Sequence, residues 1–214
     1  MYGGSPLNRL SWLRTSQSFL NAVVAIPSTR WLLFNAGQPL VSSGPNGSSK
    51  PAPIYLSTSD VKAFLGPEPY FGQGKDAGDL FEEVEVGEGH SNHSPTESMR
   101  HHGLRVVFLG LHEQHSGDGA SALPSSEFKD PQEAIKKLEG ILYFSTDVVD
   151  LGYSPEQLDA ILKATAPGQE GQQLSWAEPR ALMSNIDIVT AGIFASARSL
   201  VDWNQRNKVM FILS

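Results

Sequence analysis

The longest periodic stretch of apolar residues lies near the C-terminal end of the chain, between residues 186 and 208. Apolar side chains recur there every three or four positions, at Ile186, Val189, Ile193, Ala197, Leu200 and Val201. That spacing places them on one stripe of an α-helix. Asp187 near the start and Arg206 near the end complement the helix dipole. The pattern therefore predicts a long helix that packs on a core through one face.

Other apolar runs predict strands. Residues 104–111 are apolar almost throughout, so we expect this strand at the centre of a sheet, where each face is covered. Residues 140–149 predict a second central strand. Residues 30–34 predict a strand that forms a hairpin with residues 19–26 through a turn at residues 27–29, and residues 38–41, after an Asn-Ala-Gly turn, predict a third strand of the same meander. Residues 19–26 are rich in apolar and β-branched side chains and also predict a strand.

Capping residues indicate the shorter helices. One helix is predicted to begin after Ser57 and end at Leu65, and another to begin after Ser154 and end near Ala164. A loop over residues 167–173 and a short helix over residues 176–183 are expected to follow. The predicted fold class is α+β, with a mostly antiparallel sheet and C-terminal helices packed on it.

Residues 67–102 interrupt this pattern. Gly, Pro, Ser, His and acidic residues dominate the segment. Such a composition buries too little apolar area to offset the entropy of ordering, so it predicts a long disordered insert. The glycine-rich residues 72–78 lack the spacing and the preceding strand of a nucleotide-binding loop.

Composition and charge narrow the possible chemistry. The 214 residues include no cysteine, which excludes disulfides, thiolate zinc sites and a cysteine nucleophile. A net charge of −7 argues against a dominant nucleic-acid-binding surface, and no apolar run approaches the roughly 20 residues of a membrane helix. His112 and His115 follow a predicted strand, but no third metal ligand accompanies them. We therefore expect no catalytic and no metal-binding residue.

Two short motifs, at opposite ends of the chain, resemble a known family. Residues 197–203 read Ala-Arg-Ser-Leu-Val-Asp-Trp, and residues 6–9 read Pro-Leu-Asn-Arg, with a further arginine at position 14. The strand segments Val-Phe-Leu-Gly at 107–110 and Tyr-Phe-Ser-Thr-Asp-Val at 143–148 add weaker support. Together they resemble the N-terminal domain of NADH diphosphatases, which are Nudix hydrolases that cleave NAD(H).

The resemblance implies a role without catalysis. In the family this domain precedes a zinc ribbon and a Nudix box, whose carboxylates bind Mg²⁺ or Mn²⁺ and which this sequence lacks. We expect residues 1–208 to be the scaffold and dimerisation domain of an enzyme that converts NADH or NAD⁺ to NMN(H) and AMP. Residues 209–214 do not match the family and suggest truncation before the catalytic half. Zn²⁺ and Mg²⁺ or Mn²⁺ are implied for the intact family, and no cofactor is expected in this chain.

The same resemblance singles out three residues of the long helix as candidate contacts with the catalytic half: Arg198, Trp203 and Arg206. Helix packing and solvation of long side chains explain these residues equally well. A second function also stays open. The long helix and the acidic insert could make the chain a complete protein-interaction module without catalytic activity.

The N-terminal motif contributes Asn8, Arg9 and Arg14. Asn8 suits a turn or a cap. We expect the arginines to tie the N-terminus to backbone carbonyls or acids, with phosphate binding as the alternative.

The family implies a cytoplasmic or peroxisomal location, although the final Ile-Leu-Ser is not a peroxisomal signal. The start of the chain has arginines and no acidic residue before Asp60, as in mitochondrial transit peptides, but the same residues carry the family motif.

Overall fold

The computed structural model describes residues 5–11, 13–45, 47–66, 68–71, 104–113, 131–182 and 186–206. The strands in this part of the chain are β1 (Arg30–Asn35), β2 (Gln38–Pro45), β3 (Ala52–Pro53), β4 (Val106–His112), β5 (Ile141–Asp147) and β6 (Gln172–Trp176). The helices are α1 (Gln17–Val24), α2 (Thr58–Leu65), α3 (Pro131–Lys136), α4 (Pro155–Ala164), α5 (Ala166–Gln169), α6 (Pro179–Leu182) and α7 (Ile188–Arg206), and a 3₁₀ turn spans Val148–Leu151.

The six strands form one mostly antiparallel sheet, which confirms the α+β prediction. The strand order is β3-β2-β1-β5-β4, and β6 pairs with β2. Only β1 and β5 run parallel among these pairs, with Arg30 opposite Tyr143. After Pro39, β2 pairs no longer with β1 but with β3 and β6. Strand β2 therefore changes its pairing partners along its length, and its second half joins β6 to the sheet.

Strand β4 lies at the edge of the sheet, although its apolar sequence predicted a central position. Its side chains enter both core clusters: Phe108 and Leu111 pack on one face of the sheet, and Val107 and Leu109 on the other. Both faces of β4 are thus buried although the strand lies at the edge of the sheet, which explains why its sequence is apolar almost throughout. Strand β5, by contrast, is central as predicted.

Helices cover both faces of the sheet. One face carries the cluster that includes buried residues of α1, α2, α3 and α4, and the other carries α7 together with Leu182 of α6. Strand β1 contributes to both, because Trp31 and Leu33 point to the first cluster and Leu32 and Phe34 to the second. This alternation is the period of two that a strand covered on both faces requires.

The strand predicted over residues 19–26 is wrong, because this segment forms helix α1. The Ser16 side chain accepts a hydrogen bond from the Phe19 N–H (3.3 Å) and caps the helix. The buried residues of α1 are Phe19, Leu20, Val23 and Val24. These residues are one or four positions apart, which places them on one side of a helix. The strand was predicted because β-branched valines favour strands.

Two predicted helices match the structure closely, since both begin with a capping box. Ser57 and Asp60 cap α2, and Ser154 and Gln157 cap α4, which ends at Ala164 as expected. The region after α4 differs from the prediction. The loop expected over residues 167–173 contains the end of α5 and the start of β6, and Trp176 ends β6 instead of opening a helix. Trp176 pairs with Leu40 of β2, a partner that local sequence does not reveal.

The insert predicted over residues 67–102 lies outside the described residues except for 68–71. These four residues belong to the fold. The Phe71 N–H donates to Asn21 Oδ1 and the Asn21 side-chain amide donates to the Phe71 carbonyl, both at 2.9 Å. Tyr70 and Phe71 also pack on the core cluster that contains α1. The tail at residues 209–214 lies outside the described part as well.

Candidate functional site

Helix α7 packs on the sheet through one stripe, as the periodicity predicts. Ile193, Phe194, Ala197 and Val201 are its buried residues, and the Phe194 ring stacks on Phe34 of β1 with centroids 6.1 Å apart. Two other residues of the predicted stripe, Ile186 and Leu200, are only partly buried. Val189 is exposed.

The N-terminus of α7 is capped by Asp187. Its carboxylate accepts hydrogen bonds from the Val189 N–H (2.9 Å) and the Thr190 N–H (3.0 Å). Hydrogen bonding to Thr190 is the main reason that the pKa of Asp187 lies below its ordinary value. An ionised carboxylate at this position complements the helix dipole, which agrees with the prediction from the sequence.

The opposite face of α7 is exposed and carries two large apolar side chains. Ile188 is 87% exposed and Trp203 is 62% exposed. Ala195 and Ser199 lie between them on the same face and are also exposed. Arg206 follows on this face and forms an ion pair with Asp202 across one helical turn (2.9 Å). We call the set Ile188, Ala195, Ser199, Trp203 and Arg206 the outer face of α7.

Arg198 has a contact within its own domain. Its Nη1 donates to the Gly37 carbonyl (3.0 Å) in the turn between β1 and β2. The same turn is held from β5, because the Asp147 carboxylate accepts hydrogen bonds from the Ala36 N–H (3.0 Å) and the Gly37 N–H (2.8 Å). A third bond, from the Val149 N–H (2.9 Å), caps the 3₁₀ turn. Asp147 is buried, and these backbone donors explain how its charge is accommodated.

Asn8 extends the sheet beyond the edge strand. Its N–H donates to the Leu111 carbonyl and its carbonyl accepts from the Leu111 N–H, both at 2.8 Å. The side chain accepts from the Leu10 N–H (3.1 Å) and donates to Glu113 (3.1 Å). Asn8 therefore closes part of the free edge of β4.

The two N-terminal arginines have different environments. The Arg14 guanidinium donates to the Phe108 carbonyl of β4 (3.0 Å), which ties the N-terminal segment to the edge strand. Arg14 also lines a cleft of about 430 Å³ together with Tyr70 and Phe71. Arg9 is exposed. Phosphate binding by these residues stays a hypothesis.

The sequence singled out no metal site, and the described residues contain no group of three or more His, Asp or Glu side chains arranged to hold a metal ion. His112 ends β4, where it lies opposite Ile141. His115 and the glycine-rich residues 72–78 lie outside the described part. The described residues therefore do not fit the Zn²⁺ or Mg²⁺ sites that the intact family implies. None of the described helices has the length and apolar character needed to cross a bilayer.

Two tyrosines meet near the start of α7. The rings of Tyr55 and Tyr143 pack edge to face with centroids 5.3 Å apart. Burial is the main cause that raises the pKa of Tyr55 to about 12, and electrostatic interactions with Tyr143 and Asp187 add to this rise. Burial likewise raises the pKa of Tyr143. The Tyr55 hydroxyl is buried, and no hydrogen-bond partner for it lies within the described residues.

Sequence reasoning missed the role of Asp147 and the link between the motifs. The available signal was the position of Asp147 at the end of a strong strand, since a carboxylate there can accept from a neighbouring turn. The sequence could not show that this turn is the Asn-Ala-Gly segment more than 100 positions earlier, because the parallel pairing of β1 and β5 brings the two together.

The domain therefore has an α+β fold in which one side of the last helix, α7, packs on the sheet and the opposite side is exposed. Comparison with protein families gives the class: residues 28–203 match the NUDIX-like family, described as the NADH pyrophosphatase-like rudimentary NUDIX domain. The chain belongs to this family. The match extends from just before β1 to Trp203, so it includes the whole sheet and most of α7. A comparison with curated proteins finds no match.

Proposed function

We propose that this chain is the non-catalytic scaffold of an NAD(H) diphosphatase, and that the outer face of α7 contacts the catalytic half of that enzyme. The catalytic half would supply the metal-binding carboxylates and convert NADH or NAD⁺ to NMN(H) and AMP. The family membership supports the class of enzyme. The observation that carries the proposal is the two-sided character of α7.

The inner stripe of α7 is fixed on the sheet, and Arg198 binds the Gly37 turn. The outer face is consequently presented in one orientation. Ile188 and Trp203 are 15 residues apart, which corresponds to about 22 Å along a helix. Exposed aromatic side chains flanked by small residues are typical of the central anchors of protein interfaces. This face has the length and composition that contact with a second domain requires.

The test uses the full chain and a separately purified fragment that contains the zinc ribbon and Nudix domain of a family NADH pyrophosphatase. Calorimetry measures their binding, and an assay with NADH and Mg²⁺ measures formation of NMNH and AMP. We expect the chain alone to produce no AMP, the two proteins to bind, and the fragment to become more active in the complex. NADH hydrolysis by the chain alone, or no binding to the fragment, would contradict the proposal.

Substitutions on the outer face locate the contact. We expect Trp203→Ala to weaken binding of the fragment at least about tenfold, as truncation of an aromatic anchor commonly does. Val149→Ala is the matched control, because Val149 is an exposed apolar residue (42%) that is not part of the outer face of α7. Arg198→Ala separates the two interpretations of Arg198: unchanged binding would assign it to the Gly37 turn alone.

A dimerisation role is part of the same proposal and has its own readout. Light scattering on the purified chain gives its molar mass in solution, and a dimer would agree with a homodimeric enzyme. The alternative function, a protein-interaction module without catalytic activity, predicts a stable chain that does not bind the Nudix fragment and forms a defined complex with another partner. The cytoplasmic or peroxisomal location stays a prediction.

A further inference from the structure

A cleft of about 250 Å³ lies between helix α4 and strand β6, away from the outer face of α7. Its lining includes Val148, Leu158 and Leu162, which are buried. Tyr153 and Trp176 also line it and are only partly buried. An apolar cavity of roughly 150 Å³ accommodates benzene, so this cleft has room for a small organic molecule.

Two aromatic residues contribute to the cleft from different elements. Tyr153 precedes α4 and packs edge to face against Phe64, with centroids 6.2 Å apart. Trp176 is the last residue of β6.

One carboxylate lies in the lining of the cleft. Asp159 lines it and pairs with Lys163 one turn further along α4 (2.7 Å), where both side chains are exposed. Strand β6 contains no charged residue. Among the residues that line the cleft, Asp159 is the one that carries a charge.

We propose that this cleft binds a small organic ammonium compound, whose cationic group contacts the rings of Tyr153 and Trp176 and is neutralised by Asp159. Aromatic faces attract quaternary and methylated ammonium groups, and an adjacent carboxylate strengthens that attraction. The ligand's cationic group can replace Lys163 as the partner of Asp159, because an exposed ion pair contributes little to stability. A ligand that also carries phosphate is disfavoured by Asp159.

Choline is the probe, and 3,3-dimethylbutan-1-ol is its matched control, with the same shape and no charge. Both are titrated into the full-length chain labelled with ¹⁵N, and the indole N–H signal of Trp176 reports binding. We expect choline to bind about tenfold more tightly than the neutral alcohol, because two cation–π contacts and one charge pair distinguish them. Phosphocholine should bind more weakly than choline.

Three variants assign the contacts. Trp176→Leu keeps an apolar wall and should weaken choline binding about fivefold, with little change for the alcohol. Asp159→Asn removes the counter-charge at an exposed position, so it should weaken choline binding without affecting the fold. Lys163→Met removes the competing cation and should strengthen choline binding. The opposite effects of the last two variants cannot arise from a change in folding.

Equal affinities for choline and the neutral alcohol would overturn the proposal, as would phosphocholine binding as tightly as choline. Absence of any shift at Trp176 up to about 100 mM choline would also overturn it, since weaker binding has no specificity. The measurement involves the chain alone. Its failure therefore leaves the scaffold proposal untouched, and failure of the Nudix fragment to bind leaves this site untouched.

Discussion

Asp147 and Arg198 bind the same backbone unit from opposite directions. Asp147, at the end of β5, accepts the Gly37 N–H (2.8 Å), and Arg198, on α7, donates to the Gly37 carbonyl (3.0 Å). The β1–β2 turn is thus joined to the central strand and to the last helix. Both residues lie in segments that resemble NADH diphosphatases, so a structural role explains part of that resemblance.

Replacement of Asp147 should destabilise the domain strongly. Asp147→Ala leaves the Ala36, Gly37 and Val149 N–H groups without their acceptor, and each is part of a turn that must stay folded. We expect the free energy of unfolding in urea to fall by about 3 kcal/mol or more, given the strength of hydrogen bonds to charged groups. Asp147→Asn keeps one acceptor oxygen and should lose less.

Arg198→Ala is the matched comparison at the same turn. It removes an exposed hydrogen bond to Gly37 and should lower the free energy of unfolding by less than about 1 kcal/mol. Similar losses for the Asp147→Ala and Arg198→Ala variants would show that burial of the carboxylate does not govern this turn.

Gly110 should tolerate no side chain, because the N-terminal segment approaches it closely. A Cβ at Gly110 would lie 2.5 Å from the Asn8 carbonyl oxygen, and its φ of +142° disfavours any other residue. Gly110→Ala should therefore break the Asn8–Leu111 pairing and cost about 3 kcal/mol in urea unfolding. Gly152→Ala is the control, since its φ of +65° is strained but no atom lies within 4 Å. It should cost only about 1 kcal/mol.

The sequence predicted those elements whose signals are local. The capping serines at Ser57 and Ser154 located α2 and α4, and the apolar spacing located α7. The apolar runs located β1, β4 and β5. Their order in the sheet did not follow from them, because an apolar run reports that both faces are covered and not which strand lies beside it.

Long-range pairing accounts for the elements that the sequence missed. Trp176 ends a strand because β2 offers it unpaired backbone groups, and residues 68–71 are ordered because Asn21 binds Phe71 twice. Segment 19–26 was mistaken because valine favours strands in general, whereas its spacing of buried residues is helical. The contacts of Arg198 and Asp147 were hidden for the same reason: each depends on a partner more than 100 positions away.

Replacement of Ser145 should stabilise the domain, unlike the substitutions at Asp147 and Gly110. Its hydroxyl is fully buried in β5 and has no hydrogen-bond partner among the described residues. A buried polar group without a partner destabilises the folded state. Ser145→Ala should therefore raise the free energy of unfolding by up to about 1 kcal/mol. A loss of stability would indicate a partner for the hydroxyl.

Tyr55 should make the domain sensitive to alkaline pH. Burial raises its pKa from 10.0 to about 12, so the folded state holds this proton more tightly than the unfolded state does. Below pH 10 the phenol is protonated in both states and stability is unaffected. As pH rises from about 10 towards 12, the unfolded state loses the proton first, and the free energy of unfolding must fall.

Tyr55→Phe removes this group and isolates its effect from those of Tyr70, whose pKa is also raised to about 12, and Tyr143. Urea unfolding of both proteins at pH 8 and pH 11 gives the comparison. At pH 8 the variant should match or exceed the parent, because the buried hydroxyl has no hydrogen-bond partner in the described part. At pH 11 its advantage should grow. An unchanged difference between the two pH values would mean that Tyr55 ionises equally easily in both states.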